Sequence, residues 1–215
     1  DSDRAWAAGR PAEAVARMRL ARWTDPLHPE VWLRWAALQQ ATGEGEAARE
    51  AFVAALKRAL ALDPYTPATH VQLADVDFAE GRWDAGFERV LRAHQLHPLD
   101  QGLIEQVANL AWNGATARLK FGERERALDT ARRIVPVEAQ LEADLSRIAA
   151  LGVRAPYPYG YTPFAHLRMG QTLLVAGDFE GAERHLREAQ KNKKLADEAT
   201  QWLSVALELS GQTAE

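Results

Sequence analysis

The side chains able to act as ligands, acids or bases are few and scattered. Of the six histidines, His94 and His97 stand three apart in "AHQLHP", a spacing that can put two metal ligands on one helical face. No third ligand follows nearby, and two ligands alone rarely hold a metal, so a solvated helix end is expected there. His28 and His185 have no partner in sequence. Asp75 and Asp77 in "LADVDF" would be paired carboxylates, but residues two apart on a helix do not face each other. The chain has no cysteine, which removes thiolate zinc sites, cysteine nucleophiles and disulfides and leaves cytoplasmic and periplasmic settings equally open. Neither a P-loop nor GxGxxG, GxSxG or HExxH occurs. No catalytic residue, cofactor-binding residue or metal ligand is therefore expected, and the chain is expected not to be an enzyme. The least ordinary stretch is "RAPYPYGYTP", residues 154–163, which holds Tyr157, Tyr159 and Tyr161, three of the four tyrosines.

Whatever these residues do, the rest of the chain must position them. Its 215 residues are 47% hydrophobic and 26% charged, a balance suited to a folded protein. A net charge of -4 gives no electrostatic footprint for nucleic acid or an anionic membrane. No run of 18 apolar residues is present, so no direct membrane insertion is expected. The Ala- and Arg-rich composition suggests a bacterial polypeptide, and the ends suggest a segment of a longer one.

A ruler of glycines runs along the sequence. Gly9, Gly43, Gly81, Gly122, Gly177 and Gly211 are spaced by 34, 38, 41, 55 and 34 residues. Five places after the first five stand Ala14, Ala48, Gly86, Ala127 and Ala182. Seven places before each glycine stand Ser2, Ala36, Ala74, Ala115, Gly170 and Ser204, all small. A glycine can take the left-handed conformation that ends a helix, and small residues let two antiparallel helices approach. Prolines Pro26, Pro64 and Pro98 then stop the second helix of a unit. The pattern predicts helix–turn–helix units of about 34 residues.

On these residues the chain resembles the tetratricopeptide repeat (TPR) family. The clearest unit is 67–100, with Leu73, Ala74, Gly81, Trp83, Gly86, Ala93 and Pro98 in family register. Trp32 supplies the early aromatic of its unit, His70 and His166 stand in its place elsewhere, and Asp77 replaces the usual tyrosine. The resemblance implies an all-α fold, a right-handed α-solenoid of antiparallel helix pairs over 1–215. Regular repeats are expected at 1–28, 29–66, 67–100 and 163–196, with a half-repeat at 197–215. An irregular repeat spans 101–136, and an inserted helix and Tyr/Pro loop span 137–162. Within the insertion Val137, Leu141, Leu145 and Ile148 recur at helical intervals. The tyrosines of the loop are expected either to pack over the seam left by that helix or to touch a ligand.

In this family the first helix of each pair lines a concave groove, so the resemblance implies a scaffold for a protein or peptide partner. Projected onto that groove, the stripes give Asp75 and Phe78; Glu105, Asn109 and Trp112; Arg168 and Gln171; and Gln201, Trp202 and Val205, with Tyr157 and Tyr159 at the edge. The carboxylate clamp of some TPR domains is not supported, because Asp75 and Glu105 stand where basic or amide residues would be needed. An extended peptide or a helix laid on apolar side chains fits better. Self-association through the open ends of an array is a further expectation. So is an accessory role beside a larger enzyme, such as a membrane enzyme of cell-surface polysaccharide assembly.

Overall fold

The computed structural model describes residues 2–152 and 160–211, and among these every regular element is a helix. Hairpins are formed by α1 (Ser2–Ala7) with α2 (Pro11–Thr24), α3 (Pro29–Thr42) with α4 (Gly45–Leu62), and α5 (Pro67–Ala79) with α6 (Trp83–Leu96). They continue with α7 (Gln101–Lys120) and α8 (Arg124–Arg132), then α10 (Pro163–Ala176) and α11 (Phe179–Gln190). The inserted helix α9 (Ile134–Ala150) separates those two pairs, and α12 (Ala196–Leu209) is the unpaired last element.

Local chemistry sets the boundaries. Pro11, Pro29, Pro67 and Pro163 open their helices, where the missing N–H costs nothing. Asp100, Thr162 and Asp178 cap α7, α10 and α11 by accepting backbone N–H bonds of 3.0 Å from Leu103, Ala165 and Gly181. Five ruler glycines, Gly9, Gly81, Gly122, Gly177 and Gly211, have φ between 68° and 85°, the left-handed geometry expected after a helix. Gly43 departs: its φ is −88°, and Gly45 takes the positive φ instead. Glycine is needed at 43 because a Cβ there would overlap that of Ala48 and stand 2.7 Å from the Gln39 carbonyl. The ruler marks that turn for closeness, not handedness.

Backbone contacts gather the chain into two compact units, Asp1–Leu96 and His97–Glu215. In the first, Ala14, Met18, Trp35, Ala36, Ala55, Leu56 and Leu73 form one continuous buried cluster across successive helices. Repeat junctions are latched alike: the Trp32 indole N–H donates to the Pro26 carbonyl at 2.8 Å, and His70 Nε2 lies 3.1 Å from the Pro64 carbonyl. A carbonyl only accepts, so His70 carries its proton on Nε2 and does structural work. Asp77 in turn points inward, its carboxylate bridged to Arg82 of the turn (3.0 Å) and Arg89 of the second helix (2.7 Å). His94 is buried on α6 at 4% exposure, contrary to the solvated helix end expected from sequence.

In the second unit α10 packs on α7 and α8 as well as on α11, so the stack continues past the insertion. The inserted helix lies alongside, docking Leu141 against Ile104 of α7 and Ala165 of α10, with Leu145 and Tyr161 around them. Of the expected stripe, Leu141 and Leu145 meet this cluster, and the helix starts three residues earlier than Val137. No helix among the described residues is long and apolar enough to cross a membrane.

Candidate functional site

In the second unit Asn109 and Trp112 stand on α7 and Arg168 and Gln171 on α10, two first helices that pack together. Trp112 is half-buried and meets Trp202 of α12 edge-on, with ring centroids 5.3 Å apart and planes at 83°. Such a pair is worth about 0.5–1.5 kcal/mol beyond its buried area. The guanidinium of Arg168 stacks on Phe164 one turn earlier, at 4.8 Å from the ring centre. It donates to the Gln171 amide oxygen at 2.8 Å and stands 3.4 Å from Glu198. Its Nε–H is buried without an acceptor.

Gln171 is fully buried, so it cannot be the partner contact anticipated for it. Its amide donates to Glu198 at 3.0 Å and receives Arg168, which makes it a positioning residue. α10 is packed on several sides, and a stripe read from spacing alone cannot register that. Glu105 is likewise engaged within the fold, accepting from the Thr162 hydroxyl at 2.6 Å and so fixing the residue that caps α10. Glu198 and Thr162 were missed, since neither belongs to a recurring small-residue or apolar position. Tyr157 and Tyr159 lie outside the described residues.

The first unit holds the other two anticipated residues. Asp75 is exposed beside a cleft of about 320 Å³ lined by Gln39, Arg49, Phe52 and Gln72, and partial burial raises its pKa. Phe78 belongs elsewhere. Its ring fills the space where Gly86 lacks a Cβ and tilts against Trp83 at 4.9 Å, inside the α5–α6 hairpin.

A second polar cluster sits where α9, α10 and α11 meet. Glu138 and Glu142, one turn apart on α9, both accept from Arg184 of α11, Glu142 at 3.1 Å. His185, 1% exposed, turns Nδ1 to His166 Nδ1 at 2.8 Å and leaves Nε2 at 3.5 Å from Glu138. The ring of Tyr161 lies against both imidazoles, at 4.8 and 4.7 Å. Burial, then repulsion from His185, lowers the His166 pKa to about 4. His185, whose Nε2 stands 3.5 Å away, and the charge of Arg184, acting against burial, hold the Glu138 pKa down. Burial and the charge of Glu138 push Glu142 up. The equivalence of His70 and His166 in the repeat thus breaks: one latches a junction, and the other orients a second histidine.

No protein-family model matches the sequence, and no curated protein does. Solved structures do. YrrB, described as a TPR protein with an unusual peptide-binding site, superposes with a TM-score of 0.52 at 12% identity, over 91% of this chain and 84% of that one. MamA gives a TM-score of 0.51 at 13% identity, over 92% and 96%. Identity this low speaks to the fold alone. The fold is of the TPR type, all-α and built from stacked antiparallel helix pairs.

Proposed function

We propose that the protein is a non-catalytic interaction scaffold whose second unit holds an extended peptide or a helix of a partner protein along α7, α10 and α12. The observation that carries this reading is the Trp112–Trp202 pair, which joins α7 to α12, together with Arg168 of α10, which reaches Glu198 of the same α12. Partly exposed tryptophans, and an arginine with a spare, desolvated donor, are residue types of binding hot spots. The peptide-binding site attributed to YrrB supports it by analogy of fold.

The test is selection of a displayed random-peptide library on the wild-type chain, followed by titration of the selected peptides against Trp112→Ala and Arg168→Gln. Each substitution is expected to weaken binding by about tenfold or more, since a hot-spot truncation costs at least about 1.4 kcal/mol. Far-UV circular dichroism should remain that of the wild type. Equal affinities in all three folded proteins would remove this face as the binding site.

A further inference from the structure

We propose that Glu138, Glu142 and His185 form a binding site for one divalent cation of the zinc class, with Arg184 as its displaceable place-holder. Among the described residues this is the one group of three or more such side chains whose ligand atoms lie within 4.8 Å of one another. In a tetrahedral site with bonds of about 2.1 Å the donors stand roughly 3.4 Å apart, so a contraction from 4.8 Å by about 1.4 Å suffices. Glu142 is only partly buried and has room to make it.

His185 is the observation that points to a ligand. Its Nε2 is enclosed, faces the carboxylates, and has no hydrogen-bond partner at normal length. A charge-assisted bond to Glu138 would close to about 2.8 Å, and it has not. The 2.8 Å contact of Nδ1 with His166 fixes the ring with Nε2 toward Glu138, and a cation bound at Nε2 would leave Nδ1–H to donate to His166. That arrangement, an imidazole whose far nitrogen is fixed by a second polar group, is how metal-ligating histidines are oriented. The Tyr161 ring lies against both imidazoles and holds them in place.

Charge argues the same way. The two carboxylates outnumber the one guanidinium beside them, and a divalent ion in its place would balance both. The guanidinium can leave, since the Arg184 side chain is 47% exposed. An imidazole with two carboxylates and an open fourth position suits zinc, and the small number of donors disfavours calcium.

The experiment is calorimetric titration of the chelator-stripped chain with Zn²⁺, alongside Glu142→Gln, His185→Gln and Arg184→Gln. The wild type should bind one equivalent. Glu142→Gln and His185→Gln should bind at least tenfold more weakly, and Arg184→Gln about tenfold more tightly, because its competitor is gone. Co²⁺ in place of Zn²⁺ should give the intense visible bands of a four-coordinate site. If His185→Gln fails to fold, Glu142→Gln and Arg184→Gln, altered toward the surface, still decide. Equal affinity of wild type and Glu142→Gln would mean an adventitious ion only and overturn the proposal, as would no binding by wild type and Arg184→Gln alike.

Discussion

The Asp77 carboxylate illustrates how a single residue replaces a larger one. Burial works to raise its pKa, but the hydrogen bonds and charges of Arg82 and Arg89 outweigh that and hold it low. A depressed folded pKa contributes stability above the unfolded value of about 3.9, lost as pH falls through the folded value. Asp77→Asn is therefore expected to cost about 1–3 kcal/mol at pH 7 and to remove that part of the acid sensitivity, measured by urea denaturation at several pH values. His166 has the opposite chemistry and a separate window. Its pKa is lowered to about 4, so the unfolded chain takes up the proton first, and stability should fall from about pH 6.5 toward 4. The groups facing it are His185, Tyr161, Glu188 and Lys191. His166→Asn should flatten the profile in that window and leave the lower one unchanged. Neither pairing was legible in the sequence. Asp77 and Arg89 are twelve residues apart and His166 and His185 nineteen, on different helices, and only the hairpin geometry joins them.

At the scale of elements, the hairpins were readable because their causes are local. A left-handed glycine, a proline at a helix start and a stripe of small residues each act within one or two turns. Gly170 shows how strict the small positions are. A Cβ there would stand 2.7 Å from Leu186 Cγ and 3.1 Å from the Ala182 carbonyl, which is backbone and cannot swing away. Gly170→Ala should destabilise by about 1–3 kcal/mol through overpacking. At Gly177 (φ 85°) the space is open and the penalty is conformational, so Gly177→Ala should cost about 1–2 kcal/mol. Equilibrium denaturation of the two variants separates the mechanisms. The anticipated stripe was not legible throughout: the burial of Gln171 and the seating of the Phe78 ring on Gly86 depend on packing from other helices.

For the molecule as a whole, stacked pairs contact mainly their neighbours, so a local lesion should stay local. Hydrogen exchange read by mass spectrometry makes this concrete. Asp77→Asn should lower protection in α5 and α6 of the first unit, and Gly170→Ala in α10 and α11 of the second. Uniform loss across both units in either variant would contradict the nearest-neighbour behaviour of the stack.

The packing of α10 directly on α7 and α8, past the inserted helix, has a kinetic side. Other successive pairs close over turns of a few residues, but α10 must find α8 across the thirty residues from 133 to 162. A flexible link of that length costs roughly 2 kcal/mol more to close than a four-residue turn, about three doublings at 0.6 kcal/mol each. Hairpins such as α10–α11 should consequently gain protection early in refolding, and the α7/α8–α10 seam last. Pulse-labelling hydrogen exchange would record that order, with the docking of α10 on α7 and α8 as the late step of assembly.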